Sequence, residues 1–298
     1  MESKSVLDRL SKEPILLLDG AMGTELFRRG VKTRLPSWSA HALIENPTIV
    51  CEVHEDYIRA GAEIITTDTF RTTSRALQKE GLSQRAKELT HLAVNLAKQA
   101  RNQCADQPVW IAGSVAPLED CYEPDLSPDL ETAFREHREF IGWLVEAGVD
   151  LILIETMNTV REAIAAARAA ETCGVPMFIS WTCASDGNIL NGESLKEAVS
   201  SLEQYKPSAF LVNCTASKNI GPALWKMCEA ATKVPIGAYA NIGKPEPVYG
   251  WEFTHELDPS AYAREAEDWV RQGAKIVGGC CGTTPDHISE LRNLFHNK

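Results

Sequence analysis

The chain has 298 residues, 44% of them hydrophobic and 24% charged, which is the balance of a soluble globular protein. A formal net charge of −11 argues against a polyanionic partner such as nucleic acid. With no apolar run of roughly 18 residues and a polar N-terminus, neither a membrane span nor a signal peptide is expected. The nine cysteines then read as thiols of a reducing, cytoplasmic compartment rather than a disulfide framework.

Short β-rich runs alternate with amphipathic stretches along the whole chain. Strands are expected at Ile15–Asp19, Glu63–Thr67, Val109–Gly113, Leu151–Glu155, Met177–Thr182, Ala209–Asn213, Pro235–Ala240 and Lys275–Gly278. Helices are expected at Pro47–Ala60, Ser83–Asn102, Asp129–Ala147, Val160–Cys173, Ser194–Tyr205, Asn219–Thr232, Pro259–Gln272 and Pro285–Phe295. Gly61, Gly148 and Gly273 each stand just past a helix end, where a left-handed cap is needed. Pro47, Pro259 and Pro285 stand in first turns, where the missing N–H costs nothing.

Eight apolar strands alternating with eight helices specify a parallel sheet covered by helices. At this length a closed (β/α)8 TIM barrel, one domain over residues 1–298, fits better than an open doubly wound sheet. The first strand is followed by Asp19-Gly20-Ala21-Met22-Gly23-Thr24, which lacks the glycine spacing of a dinucleotide-binding turn.

In such a barrel the chemistry sits where strands end. Those positions read Asp19-Gly20, Asp68-Thr69, Ser114, Glu155-Thr156, Thr182-Cys183, Asn213-Cys214, Asn241 and Cys280-Cys281. Neighbouring residues of a strand point to opposite faces. Cys280 and Cys281 can therefore share a metal only if the backbone leaves the strand there, a freedom that the flanking glycines supply. Together with Cys214 they suggest a three-thiolate site. Zinc suits soft thiolates in a tetrahedral site, and three protein ligands with an open fourth position mark a catalytic centre. None of the seven histidines lies at an expected strand end. Glu155 closes an otherwise apolar strand, where an unpartnered charge would cost several kcal/mol.

Leu18–Thr24, Thr66–Phe70, Glu155-Thr156, Asn213-Cys214 and Gly278–Cys281 together resemble the homocysteine S-methyltransferase family, over about residues 15–294. The resemblance implies that Cys214, Cys280 and Cys281 hold Zn2+, with the homocysteine sulfur as fourth ligand. It also implies that Asp19 and Glu155 bind the substrate ammonium. Backbone N–H groups around Gly20 and Asp68-Thr69 are candidates for its carboxylate, and Asn213 belongs to the same substrate-binding set. Asp68 departs from the family pattern, which often has Asn or Ser nearby.

Trp38, Phe70, Tyr122, Trp181, Tyr249 and Trp251 are expected near the barrel mouth, where aromatic faces attract onium cations. Methyl transfer from S-methylmethionine to homocysteine, giving methionine, is the favoured reading. Neither folate and cobalamin modules nor the long C-terminal arm of betaine-type enzymes is expected. Betaine-type transfer, transfer from a corrinoid protein and a non-enzymatic zinc or thiol sensor are the alternatives.

Overall fold

Alternation along the strands decides which side chains fill the barrel and which meet the helices. Leu151 and Leu153 belong to an inner cluster with Leu16, Leu18, Ile64, Phe178, Leu211 and Ile276, whereas Ile152 and Ile154 pack into the layer beneath the helices. The computed structural model describes residues 5–12, 15–33, 35–230, 233–246, 250–254 and 257–296.

The barrel strands are β1 (Leu16–Leu17), β2 (Ile64–Thr66), β3 (Trp110–Val115), β4 (Leu151–Met157), β5 (Met177–Trp181), β6 (Ala209–Ala216), β7 (Ile236–Asn241) and, after a hairpin of β8 (Lys244–Glu246) and β9 (Gly250–Glu252), β10 (Ala274–Gly279). They pair in parallel in the order β1-β10-β7-β6-β5-β4-β3-β2. A parallel bridge between Leu18 and Ile64, with Asp19 N–H donating to the Ile64 carbonyl at 2.9 Å, joins the two end strands. The fold is therefore a (β/α)8 TIM barrel.

The eight expected helices are all present, most with ends shifted by a few residues; Thr232, the expected end of the sixth, lies outside the described residues. Pro47–Ala60 agrees at both ends, and Asp129 and Ser194 prove to be N-caps whose side chains accept from the first turn. Gly61, Gly148 and Gly273 all have positive φ, as their places past helix ends require. Helices at Val6–Lys12, Met22–Arg28, Ala42–Glu45 and Ser74–Gln78, and the β8–β9 hairpin, are additions to the expected plan. The first of these packs Val6 and Leu10 against the inner barrel cluster. Its Arg9 donates to Glu63 at 2.6 Å and to the Ile15 carbonyl at 2.7 Å, which ties it to the strand starts, away from the polar strand ends.

Candidate active site

A cavity of about 450 Å3 opens at the carboxyl ends of the strands, within the size range of small-molecule sites. Its wall includes Asp19, Gly20, Asp68, Glu155, Cys214, Cys280 and Cys281.

Two strands break register beside the cavity. In β4 the pairing with β5 shifts between Ile154 and Met157, and in β6 the pairing with β7 shifts between Asn213 and Ala216. At each irregularity a non-glycine residue takes left-handed backbone, Thr156 at φ 59° and Cys214 at φ 49°. Such strain persists only where the surroundings enforce it, and it clusters at functional sites. Glu155 continues the inward phase of Leu151 and Leu153. Cys214, one residue past inward-facing Asn213, reaches the cavity because the strand bulges.

Cys280 and Cys281 follow directly on the last residue of β10. Cys280 N–H donates to the Ala240 carbonyl at 3.0 Å, and the Cys281 carbonyl accepts from Ile242 N–H at 2.8 Å. The turn closes through Gly282 at φ 86°, where a Cβ would stand 1.8 Å from the Ile242 carbonyl oxygen, so only glycine fits.

The three thiols lie within 4.8 Å of one another. Thiolates on one tetrahedral zinc are about 3.8 Å apart for bonds near 2.3 Å, so the set fits a thiolate-bound metal. Hydrogen bonds from Cys280 and Cys281, then from Tyr122 and Asn241, hold the Cys214 thiol well below its ordinary value, and burial opposes them. The Tyr122 hydroxyl is 3.0 Å from the Cys214 sulfur, and Asn241 Nδ2 is 3.7 Å from it.

The carboxylates are held with similar care. Asp19 accepts from Thr66 N–H at 2.7 Å and from Thr66 Oγ1 at 2.9 Å. Burial pushes its pKa up to about 8; the Thr66 bonds oppose this and the charge of Glu155 adds to it. Glu155 accepts from Ser114 Oγ at 2.5 Å, Tyr239 OH at 3.1 Å and Asn213 Nδ2 at 3.3 Å. Its pKa rises to about 7, mainly through burial, with Ser114 and Tyr239 pulling it back. Two buried carboxylates in one wall, with the charge of Glu155 raising the proton affinity of Asp19, suit a cationic ligand.

Two of the expected substrate-binding residues stand behind the wall. The Thr69 side chain is fully buried and donates to the Ser114 carbonyl at 2.8 Å, while its N–H is used by the Thr67 carbonyl at 2.7 Å. Asn213 is likewise fully buried, accepting from Thr156 N–H at 2.9 Å and from Ser180 Oγ at 2.7 Å. Both support residues that do line the cavity. The Gly20 and Asp68 N–H groups, in contrast, meet no acceptor among the described residues.

Of the expected aromatics, Trp38, Phe70, Tyr122 and Trp251 line the cavity. Trp181 does not: it faces the helix layer, fully buried and stacked on Phe210 with ring centroids 5.5 Å apart. Strand alternation explains this, since Ser180 points inward and its neighbour must point out. Tyr249 lies outside the described residues. Tyr239 and Arg71 line the cavity without having been expected there.

The homocysteine S-methyltransferase family profile matches residues 16–295. The chain belongs to this family. It is 33% identical to a homocysteine S-methyltransferase of Escherichia coli, with 95% of this chain and 96% of that one covered. To a selenocysteine Se-methyltransferase of Brassica oleracea it is 31% identical, over 92% of this chain and 87% of the relative. The homocysteine methyltransferase MmuM of Escherichia coli, in its metallated form, superposes with a TM-score of 0.83 at 32% identity, covering 96% and 98% of the two chains. The protein is thus a methyltransferase whose substrates are homocysteine and a methyl donor, and its three clustered cysteines could hold a metal. Among the described residues no helix is long and apolar enough to cross a membrane.

Proposed function

We propose that the protein transfers a methyl group from a small onium donor, S-methylmethionine foremost, to homocysteine at a zinc ion held by Cys214, Cys280 and Cys281. The observation that carries this reading is the meeting of three thiols and two buried carboxylates, Asp19 and Glu155, in one cavity. Zinc held there would supply the acidity that ionises a thiol whose ordinary pKa is about 8.5.

The residues of the chain position both substrates. Asp19 and Glu155 receive the homocysteine ammonium, each held in place by the hydrogen bonds described above. The free N–H groups of Gly20 and Asp68 face an anion such as the substrate carboxylate. Trp38, Phe70, Tyr122, Tyr239 and Trp251 line the cavity and supply aromatic surface to an onium donor. The homocysteine sulfur attacks the donor methyl carbon in line, and the bond from that carbon to the donor sulfur breaks. The bonding pair leaves on the donor sulfur, which becomes a neutral thioether. The thiol proton is released to solvent, and both products are methionine. The protein contributes orientation and an ionised acceptor.

An aromatic cavity suits a small donor better than the broad rim that a corrinoid protein needs. A thiol sensor has no use for a carboxylate pair. The test is methionine formation by the reduced, zinc-loaded protein from homocysteine and a panel of donors. Turnover with S-methylmethionine is the expected result. Turnover only with glycine betaine or with a methylated corrinoid protein would overturn the donor assignment.

A further inference from the structure

On the reading above, Asp19 and Glu155 provide for the ammonium of homocysteine. A third carboxylate in the same wall, Asp68, is then left over, although it is only 2% exposed. Its Oδ1 accepts from Ser39 Oγ at 2.5 Å, while its Oδ2 meets no hydrogen-bond partner among the described residues. A buried carboxylate oxygen without a donor is costly unless a ligand supplies one. The cation nearest in sequence, Arg71, does not: its Nη1 donates to the carbonyls of Pro117 and Glu119, at 3.2 and 2.7 Å.

Asp68 is also set apart from the acceptor pair. Asp19 feels the charge of Glu155, whereas burial and the Ser39 bond account for the behaviour of Asp68. Its neighbours in sequence and in the wall are Phe70, which carries the Arg71 guanidinium 5.1 Å from its ring centroid, and, through Ser39, Trp38; aromatic surface of this kind suits an onium group. Among the described lining residues six carboxylates stand against one cation, Arg71. Homocysteine bound through its thiolate brings net negative charge, so the donor must bring positive charge.

The need at Oδ2 is more specific than charge. A carboxylate lone pair is satisfied by an N–H or O–H. Glycine betaine has a quaternary nitrogen without N–H groups, whereas an amino-acid sulfonium has three on its ammonium. We propose that Asp68, oriented by Ser39, binds the ammonium group of the methyl donor and thereby selects an α-amino-acid sulfonium over onium donors without N–H groups. The inference rests on the onium-donor reading of the site.

The test is calorimetric binding to the zinc-loaded protein without acceptor present. S-methylmethionine is compared with dimethylsulfoniobutyrate, the same molecule without its ammonium. The wild-type protein should bind S-methylmethionine at least about tenfold more tightly, and Asp68→Asn should weaken that binding on the order of ten- to a hundredfold. The loss for dimethylsulfoniobutyrate should be at least about tenfold smaller. Equal affinities in the wild-type protein, or equal losses in the variant, would overturn the role of Asp68 while leaving the donor class standing. Weaker binding of homocysteine by Asp68→Asn, titrated separately, with S-methylmethionine binding unchanged, would assign the Asp68 carboxylate to the acceptor and overturn the proposal. Binding of neither sulfonium compound by the wild-type protein would refute the donor reading itself, and this inference with it. The wild-type comparison holds whether or not the variant folds.

Discussion

Asn213 and Thr156 clasp each other across two strands: Thr156 N–H donates to Asn213 Oδ1 at 2.9 Å, and Asn213 Nδ2 donates to Thr156 Oγ1 at 2.8 Å. Thr156 follows Glu155 and Asn213 precedes Cys214, so one amide holds both the carboxylate and the thiol half of the site. Asn213→Ala should therefore damage two properties together. Zinc affinity and homocysteine use should each fall on the order of ten- to a hundredfold, as when the supporting partners of metal ligands are removed. Metal titration and steady-state kinetics on the same preparation check this, and a variant that lost one property alone would break the link.

Glu155→Gln keeps the shape of the side chain and removes its charge. A charge-assisted bond contributes roughly 1.5–3 kcal/mol, so homocysteine use should fall on the order of ten- to a hundredfold. Zinc should stay bound, because no ligand has changed. Asp19→Asn should behave alike, and thiols without an amino group should be discriminated against less by both variants. Unchanged homocysteine kinetics in both variants would remove these residues from the site.

The buried carboxylates predict a pH dependence of stability in the metal-free, ligand-free protein. The folded pKa of Asp19 is about 8 and that of Asp68 about 6, against an ordinary 3.8. The folded form thus holds protons that the unfolded chain releases. Their contribution to stability is full below about pH 4 and is lost as pH rises through the folded values. Asp19→Asn should melt higher than the wild-type protein at pH 8 to 9, with the gap closing towards pH 4. A gain in stability at the expense of function is what strained active sites commonly show.

His54 predicts the opposite slope. It lies in the helix Pro47–Ala60, fully buried, with neither ring nitrogen meeting a partner among the described residues. Burial lowers its pKa from 6.5 to about 4. The unfolded chain then takes up the proton first, so stability falls as pH drops from about 6.5 towards 4. His54→Leu should remove this part of the acid sensitivity. Denaturant melts at pH 7 and pH 4.5 would show it as a smaller difference between the two conditions than in the wild-type protein.

Much of the site was legible because strand periodicity and chemistry agree. Leu151, Leu153 and Glu155 share one face, so a carboxylate at the end of that face must look into the barrel mouth, and it does. The vicinal cysteines after two glycines demanded a break in the strand, and β10 ends at Gly279. What escaped notice depended on contacts between distant segments. Tyr239 looks like an ordinary aromatic core residue until its hydroxyl is seen 3.1 Å from Glu155. Ser39 gains its role only from Asp68, 29 positions away. The left-handed turns at Thr156 and Cys214 carry no glycine to announce them, because tertiary hydrogen bonds impose them. Trp181 was misplaced by its position near a strand end, although alternation from Ser180 directs it outward.

The central claim is that the three cysteines hold a zinc ion with a place left for the homocysteine sulfur. Zinc K-edge X-ray absorption on the reduced protein, before and after homocysteine is added, tests it most directly. The account predicts about one zinc per chain with three sulfur neighbours near 2.3 Å and one lighter atom. Homocysteine should replace that lighter atom and raise the sulfur count to four. A first shell that does not change on addition of homocysteine, or full zinc occupancy in Cys280→Ser, would contradict it.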